Sequence, residues 1–332
     1  MLEEDVIAFD DDPTNPHLFT KVRGVFACEK RVMLIGPSNS GKTTFLTQLK
    51  GMSTPNFGQS DYDNFRSIIS DNVVSFLQQT VDAIERKEVE IPPPLRKAVD
   101  PYCNIRTSGI DLDTNDIRRL KAIYASQFMQ KEMAPLADIQ HQHINYIMRN
   151  LDALLNPEYQ PTLNSMTRVR VRTVGVNRKA FAHGDDIIQV LDCGGARSER
   201  GKIHLNTDIS KIIFFVSLSD FDLPLYEIDT VNRFDDALEF YQQICQDPLY
   251  ERCQISLILT HIDKLKDKLQ PDGPFIQRFP NFSGNLSDPI ECANYIGSTF
   301  VSSTTRQVNY YICNLIDSNT TRELIKKLIP FH

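Results

Sequence analysis

The nine residues GPSNSGKTT at positions 36–44 constrain the fold of this chain more than any other stretch. They match the pattern GxxxxGK[ST], follow the apolar run RVMLI (31–35) and lead into TTFLTQLK, which is typical of a helix. A strand, a glycine-containing loop and a helix in this order form a phosphate-binding loop, because backbone N–H groups converge on phosphate oxygens. Such a loop predicts an α/β domain.

Two side chains of this loop have a direct chemical use. Lys42 supplies a point charge to the β- and γ-phosphates, and the Thr43 hydroxyl can ligate Mg²⁺. The predicted nucleotide-binding residues of the loop are Gly36, Asn39, Ser40, Gly41, Lys42, Thr43 and Thr44. The alternative is a plain strand-to-helix turn with an exposed lysine, which the agreement of pattern and placement disfavours. The loop by itself predicts a bound nucleoside triphosphate and leaves the base open.

Further apolar runs predict the remaining strands of a sheet. They occupy residues 187–192, 211–218, 254–260 and 308–313, and helical patterns such as 230–245 separate the later ones. This alternation is typical of a mostly parallel sheet with helices on both faces. In RVRVRTVGV (168–176) basic residues alternate with apolar ones, so we expect a sixth strand at the sheet edge.

The interval between the loop and this predicted edge strand has a different character. It contains no convincing strand, and its apolar residues recur at helical spacing in 63–88, 114–128 and 143–155. We therefore predict a helical domain inserted into the α/β domain. The predicted boundaries are 24–52 with 168–332 for the α/β domain, 53–167 for the helical domain, and 1–23 for an N-terminal extension.

Composition excludes several classes of protein. The 332 residues carry a net charge of −7, which argues against a nucleic-acid-binding surface. No apolar run approaches the length of a transmembrane helix, and the acidic N-terminus lacks a signal-peptide pattern. The seven cysteines are scattered without a CxxC pair. Reduced thiols and a cytoplasmic location are therefore expected, with peripheral membrane association only through partners.

The order of the motifs resembles that of heterotrimeric G-protein α subunits. A phosphate loop is followed by a helical insertion, TRVRVRTVG, DCGGARSER and VSLSDFDL, and the resemblance extends from Val22 to Leu328. The stretch VSLSDFDLPLYEIDTVNR (216–233) is similar to a segment peculiar to that family. The resemblance implies a Ras-like P-loop GTPase domain with a mostly parallel six-stranded sheet, plus an inserted all-α domain. It also implies guanine nucleotide (GTP or GDP) as ligand and Mg²⁺ as cofactor.

The resemblance also implies roles for the two switch segments. Arg170 corresponds to an arginine that stabilises transition-state charge in cis, and Arg168 lies beside it among the nucleotide-binding residues. Thr173 corresponds to the second Mg²⁺ ligand, Asp192 holds the metal through a water, and the Gly195 N–H meets the γ-phosphate. Taken alone, the arginines of this stretch favour a solvated strand face, whereas Thr173 and Gly175 in register favour the functional role of Arg170.

Three positions depart from the family pattern in a way that affects hydrolysis. Ala196 occupies the position of the glutamine that orients the attacking water, so the catalytic site has lost that group. Ser38 replaces a glycine that leaves space for the water, and Asn39 replaces an acidic residue that helps to hold the arginine. Since one positioned catalytic group contributes about 10²-fold, we expect very slow hydrolysis.

Base recognition also departs from the pattern, because THID (260–263) occupies the place of NKxD. Asp263 is retained and can accept from the N1–H and N2–H₂ groups of guanine. Thr260 replaces the bracing asparagine, and His261 replaces a lysine whose stem lies along the base. Leu315, in CNLI (313–316), falls where the family offers a backbone N–H to guanine O6. The alternative role for Asp263 is a helix cap.

The two terminal segments of the sequence indicate which binding partners to expect. Leu2 excludes N-myristoylation, prolines interrupt the first 28 residues, and the last helical pattern stops at Pro330. These features argue against conventional receptor coupling and Gβγ binding, and leave effectors or regulators at the switch segments as expected partners. The expected function is a guanine-nucleotide-binding switch with impaired hydrolysis. The alternatives are a scaffold with little nucleotide binding, and a competent GTPase in which Ser198 or Glu199 positions the water.

Overall fold

The computed structural model describes residues 7–10, 28–53, 57, 59–105, 109–133, 139–171, 173–183, 186–205, 208–225, 228 and 230–329. The chain divides into two compact units. The first, here called the α/β unit, comprises residues 1–56 and 172–332, and the second, the helical unit, comprises residues 57–171. Each unit is described by itself below.

The α/β unit consists of strands that alternate with helices. Its described strands are β1 (Ile7–Asp10), β2 (Cys28–Ile35), β3 (Val176–His183), β4 (Asp186–Cys193), β5 (Lys211–Ser217), β6 (Gln254–Thr260) and β7 (Asn309–Ile312). Its described α-helices are α1 (Lys42–Gly51), α8 (Arg197–Arg200), α9 (Arg233–Gln246), α10 (Ile262–Leu265), α11 (Pro274–Arg278), α12 (Pro289–Ser302) and α13 (Ser318–Leu328). The helical unit contributes α2 (Gln59–Arg86), α3 (Pro93–Cys103), α4 (Thr114–Ala125), α5 (Gln127–Met133), α6 (Ile139–Leu154) and α7 (Leu163–Met166).

The strands form one sheet in the order β1-β3-β4-β2-β5-β6-β7. Neighbours from β4 to β7 run parallel, whereas β1 with β3 and β3 with β4 pair antiparallel. The predicted α/β class with a mostly parallel sheet and an all-α helical part is thereby confirmed. The sheet has one strand more than the six predicted, because residues 7–10 of the N-terminal segment pair along β3.

The edge strand predicted at 168–176 was wrong in position. Residues 168–171 belong to the helical unit, and β3 begins only at Val176 and pairs with β4 as far as His183. Gly175 has φ +72°, a left-handed conformation that interrupts extended pairing. The following residues bury Ala180 and Phe181, whereas Val171 and Val174 of the predicted strand are exposed. β3 lies between β1 and β4, and therefore is not the sheet edge.

The central strands bury side chains on both faces, as expected for parallel strands covered by helices. In β2, Met33 and Ile35 join one apolar cluster, whereas Val32 and Leu34 join the other. The alternation follows the two-residue period of a strand. Because β2, β4, β5 and β6 run parallel, their carboxyl ends lie at one side of the sheet, where ligands of open α/β sheets bind.

The helical unit has its own core, in which α2 contacts α3 and α6. Phe65, Ile69, Val73 and Leu77 are buried along one side of α2 at the spacing that the sequence predicts. The predicted helix at 114–128 is divided, because Ser126 has an extended backbone between α4 and α5. None of the described helices combines the length and apolarity needed to cross a membrane.

Candidate functional site

The loop between β2 and α1 has a backbone that few other residues could adopt. Gly36, Asn39 and Gly41 have φ values of +142°, +61° and +95°. A Cβ at Gly36 would lie 2.3 Å from the carbonyl oxygen of Phe215, so only glycine fits there. Asparagine is one of the few side chains that tolerate a left-handed backbone. A loop in which left-handed residues alternate with right-handed ones forms a backbone concavity that binds anions.

Lys42, the first residue of α1, is 5% exposed. Its ammonium donates to the carbonyl oxygens of Gly36 at 2.9 Å and Pro37 at 2.7 Å. Burial lowers the pKa of Lys42 to about 8, and the attraction of Asp192 opposes that shift. A buried cation at the N-terminus of a helix favours an anionic ligand beside it. Ser40 is buried in the loop and donates to Pro37, and Thr44 is half-buried on α1.

Three oxygen-bearing side chains meet beside Lys42. The Thr43 hydroxyl lies 3.1 Å from the hydroxyl of Thr173 and donates to Asp192 Oδ2 at 3.1 Å. Thr173 also donates to Asp192 Oδ2, at 3.2 Å. They come from the start of α1, the segment before β3, and the end of β4 respectively. Hydroxyl and carboxylate oxygens are ligands that Mg²⁺ prefers.

The carboxylate of this cluster is deeply buried. Asp192 is 1% exposed, and its Oδ1 has no hydrogen-bond partner. Burial raises the pKa of Asp192, whereas Lys42 and the two threonine hydroxyls oppose that rise. A buried carboxylate oxygen without a partner is costly unless a cation or donor satisfies it. The donor set and this oxygen therefore fit a hard divalent cation.

The DCGG stretch approaches the phosphate loop at Gly195. A Cβ at Gly195 would lie 2.6 Å from Ser38 N and 2.7 Å from Lys42 Nζ, so a larger residue would collide with the loop. The preceding Gly194 donates its N–H to Gly175 O at 2.9 Å. The backbone after β4 is thereby held between the phosphate loop and the segment that carries Thr173.

The residues after Gly195 form the short helix α8. Ala196 is its N-cap, is half-buried, and makes no side-chain capping bond. Glu199 accepts the Gly175 N–H at 2.6 Å and the Lys202 ammonium at 2.7 Å. Its carboxylate thus joins α8 to the segment that precedes β3. Ser198 is exposed.

A second contact of α8, an ion pair with α9, was not predicted from the sequence. Arg200 donates to Asp236 of α9 through both terminal nitrogens, one at 3.0 Å, and its guanidinium lies 4.3 Å from the centre of the Phe240 ring. Asp236 is 1% exposed and also lies 3.4 Å from Arg197 Nε. Planar two-point pairs of this kind are strong and directional. The sequence features that could have indicated this ion pair are the two arginines of ARSER and an acidic residue in the 230–245 helix.

The residues of THID lie at the end of β6. The Thr260 hydroxyl lies 3.0 Å from Ser40 O and 3.2 Å from Val216 O, which ties this strand end to the phosphate loop. His261 is in the left-handed conformation at φ +60°, and its Nδ1 lies 3.0 Å from Thr260 Oγ1. Asp263 pairs with Lys264 at 2.8 Å through Oδ2, and its buried Oδ1 has no partner.

Leu315 is part of the core rather than an exposed residue. Its side chain is buried, and its Cδ1 lies where a Cβ on Gly41 would approach to 2.6 Å. Its carbonyl oxygen accepts from Gln48 Nε2 of α1 at 2.8 Å. The loop after β7 is therefore packed directly against the phosphate loop and α1.

The predicted arginines Arg168 and Arg170 fall in the helical unit. Arg168 donates to Asn164 at 3.0 Å and its guanidinium lies 5.1 Å from the Tyr146 ring centre. The backbone of Arg170 pairs with Asn72 of α2, its N–H donating at 2.7 Å and its carbonyl accepting at 2.8 Å. Their roles towards a nucleotide stay predictions.

Comparison with known proteins agrees with the motif order. The family model described as G-protein alpha subunit matches residues 20–330. An alpha subunit of the G-protein complex of Aspergillus fumigatus is 30% identical over 284 residues, which cover 82% of this chain and 78% of that protein. A guanine nucleotide-binding protein subunit alpha of Emericella nidulans has the same identity and coverage. Guanine nucleotide-binding protein subunit alpha-1 of Trichomonas vaginalis is 27% identical over 81% of this chain and 68% of its own length.

Proposed function

This chain belongs to the family of G-protein alpha subunits, and from that premise we propose that it is a guanine-nucleotide-binding switch with strongly impaired GTP hydrolysis. The observation that carries the proposal is the cluster of Thr43, Thr173 and Asp192 beside the buried Lys42. A scaffold that never bound nucleotide would have no chemical need for two hydroxyls and a buried carboxylate converging in this way.

The residues of the phosphate side have separate tasks in this proposal. The Thr43 and Thr173 hydroxyls would hold Mg²⁺ directly, and Asp192 would hold it through a water. When bound, Mg²⁺ neutralises charge on the phosphates. Lys42 already donates to loop carbonyls and would turn part of that donor capacity to the β- and γ-phosphates. Gly195 brings its backbone to the loop without a side chain that would occupy the phosphate position.

Impaired hydrolysis follows from the groups available to hold a water. The methyl group of Ala196 neither donates nor accepts. Glu199 is engaged by the Gly175 N–H and by Lys202, which disfavours it as a substitute base. Ser38 places a side chain at the loop position next to Gly195. Loss of one positioned group costs about 10²-fold in rate, and the other substitutions add to that loss.

Guanine selection rests on Asp263. Its buried Oδ1 has no partner, and it needs a donor of the kind that guanine N1–H offers. Adenine has no N1–H, so it would leave this oxygen unsatisfied, a cost that enzymes use for discrimination. The other carboxylate oxygen pairs with Lys264 and retains a second lone pair for the N2–H₂ group of guanine.

Partners and location are proposed only in outline. The switch segments, which include Gly175 and α8, are the surface on which we expect effectors or regulators. The features that argue against Gβγ and receptor coupling lie in residues 1–6, 11–27 and 330–332, outside the described residues. A cytoplasmic location and the absence of N-myristoylation stay predictions from the sequence.

The decisive experiment identifies the nucleotide that the purified protein carries. The protein is denatured immediately after purification, and the released nucleotide is separated by ion-exchange chromatography. Stoichiometric GTP is the expected result, and stoichiometric GDP would contradict impaired hydrolysis. If no nucleotide is released, titration with Mg²⁺-GTP decides, because failure to bind at millimolar concentration would favour the scaffold.

A further inference from the structure

We propose that Ser217 and Asp220 are positioning residues that hold His261 in one neutral tautomer at the base side of the nucleotide site, with the proton on Nδ1. This inference rests on the proposed function, because the base side is assigned through the family's recognition motif. His261 stands where that motif has a lysine. The two hydroxyls beside its Nδ1 belong to Thr260 and Ser217, and their other partners determine whether they donate to the ring or accept from it.

The tautomer of His261 depends on the contacts of one ring nitrogen, Nδ1. His261 Nδ1 lies 3.0 Å from Thr260 Oγ1 and 3.1 Å from Ser217 Oγ. Each hydroxyl has a single proton. Two hydroxyls therefore share one nitrogen, and the destination of each hydroxyl proton decides whether Nδ1 donates or accepts.

The Ser217 proton has a better acceptor than the imidazole. Ser217 Oγ donates to Asp220 Oδ1 at 2.8 Å, and an ionised carboxylate only accepts. A hydrogen bond to a charged acceptor is stronger than one to a neutral acceptor. Arg233 lies 3.4 Å from the other oxygen, Asp220 Oδ2. Ser217 therefore gives its proton to Asp220, and towards His261 it can only accept.

The Thr260 proton is used in the same way. Its hydroxyl lies within 3.0 Å of Ser40 O and 3.2 Å of Val216 O, two carbonyls that cannot donate. Thr260 is fully buried, at 0% exposure, so water does not replace these acceptors. If Nδ1 carries the proton, both hydroxyls are satisfied at once. If it does not, one hydroxyl must withdraw its proton from a carbonyl or a carboxylate.

The tautomer has a consequence for nucleotide binding. With the proton on Nδ1, Nε2 of the neutral ring carries a lone pair and is an acceptor. A lysine at this position would present a positive charge and three donors. The site therefore has an oriented neutral aromatic ring where the family motif has a cation, and the ring contributes through its face. Ser217 and Asp220 hold that face in place without touching the nucleotide themselves.

The tautomer can be tested without any nucleotide. Long-range ¹H–¹⁵N correlation spectra of ¹⁵N-histidine-labelled protein distinguish protonated from bare ring nitrogens. His261 is assigned by the signal that disappears in His261→Asn, since asparagine tolerates the left-handed backbone of this position. A protonated Nδ1 with a bare Nε2 is expected. A bare Nδ1 would overturn the inference whether or not the protein binds nucleotide.

Variants test the positioning role. Ser217→Ala and Asp220→Asn should give mixed tautomers and weaken Mg²⁺-GTP binding by about threefold to tenfold, the worth of one hydrogen bond. Ser217→Thr, which keeps the hydroxyl, should restore both properties. Ser298→Ala is the matched control, because the Ser298 hydroxyl donates to Asn294 O within α12 at 2.8 Å. Unchanged tautomer and affinity in Ser217→Ala would refute the positioning role.

The two proposals fail in different ways. If the protein binds no guanine nucleotide while His261 shows the expected tautomer, the proposed function fails and the hydrogen-bond chain stands. If the protein binds GTP tightly while Ser217→Ala leaves the affinity unchanged, the function stands and the positioning role fails.

Discussion

The phosphate side and the base side of the α/β unit are built on different principles. The phosphate side consists of the loop backbone, the buried Lys42 and the oxygens of Thr43, Thr173 and Asp192. These four side chains retain the residue types of the family pattern, whereas Ser38 and Asn39 of the loop do not. The base side consists of residues at the ends of β6 and β7, where Thr260 and His261 depart from the family pattern and Asp263 retains it. The two sides meet through Thr260, whose hydroxyl contacts the Ser40 carbonyl.

The contrast shows which parts of such a site can change independently. Replacing Lys42 would remove the buried ammonium, and replacing Thr43 would remove one of the three oxygen-bearing side chains of the cluster. On the base side, the hydroxyls of Thr260 and Ser217 both lie within hydrogen-bond distance of His261 Nδ1, so the ring does not depend on a single contact. We therefore expect the phosphate side to set whether nucleotide binds, and the base side to set which nucleotide binds and how tightly.

The largest expected effect is on the phosphate side. Lys42→Met should weaken GTP binding by about 10²- to 10³-fold, because a buried ammonium that faces phosphate is lost. Isothermal titration at constant Mg²⁺ measures it, with the exposed Lys87→Met as control. A loss of less than about fivefold, with the fold intact by circular dichroism, would mean that the phosphate side does not dominate binding.

A smaller loss is expected when the base side is changed. Asp263→Asn should weaken GTP binding by about 10- to 10²-fold, because an amide presents one acceptor to two guanine donors. Competition between GTP and ATP shows whether selectivity falls with affinity. Lys264→Ala removes only the ion-pair partner of Asp263 and should keep the preference. Equal losses in both variants would argue that Asp263 acts as a structural charge and not as a base contact.

A gain of function would sharpen the catalytic part of the comparison. Ala196→Gln should raise the single-turnover rate of GTP hydrolysis by about tenfold, and not to the full value of a positioned group, because Ser38 and Asn39 remain. The matched control is Ala196→Leu, which adds comparable bulk without an amide. Equal rates in the two variants would show that water orientation is not what limits hydrolysis.

The smallest expected effect concerns the hydrogen bond between Glu199 of α8 and the Gly175 N–H, which joins the two switch segments. Glu199→Ala removes the acceptor of the Gly175 N–H and should weaken Mg²⁺ binding by about threefold, because Thr173 is held less firmly. Mg²⁺ titration monitored by nucleotide dissociation rate measures this change. Glu323→Ala removes an exposed acid of similar size and should leave the rate unaltered. A Glu199→Ala rate equal to that of the parent protein would assign the tie to folding alone.

Several features of the site followed from local sequence. The strand, loop and helix around Lys42 were predicted because a phosphate loop needs glycines and small residues at fixed spacing. The strands at 211–218 and 254–260 were predicted because parallel strands buried on both faces read as continuous apolar runs. By contrast, the 168–176 stretch had the right alternation, but residues 168–171 belong to the helical unit, Val174 is exposed, and the strand formed after Gly175 instead.

Other features required the tertiary structure. The Arg200–Asp236 pair joins residues 36 positions apart, and the Glu199–Gly175 contact joins residues 24 positions apart. A local sequence pattern therefore predicts neither contact. The side chain of Leu315 is buried against the phosphate loop, a contact that joins residues far apart in the sequence. Side-chain direction after β7 depends on which neighbours leave space, and that is decided by packing.

The sequence by itself determined the phosphate loop, the alternation of strands and helices, and the chemical types of the metal-binding and base-binding candidates. These are set by backbone conformation and by residue type over short distances. The tertiary structure alone decided that Thr43, Thr173 and Asp192 lie within 3.2 Å of one another, and which hydroxyls surround His261. Hydrogen bonds act over about 3 Å, and only the register of distant strands brings such atoms that close.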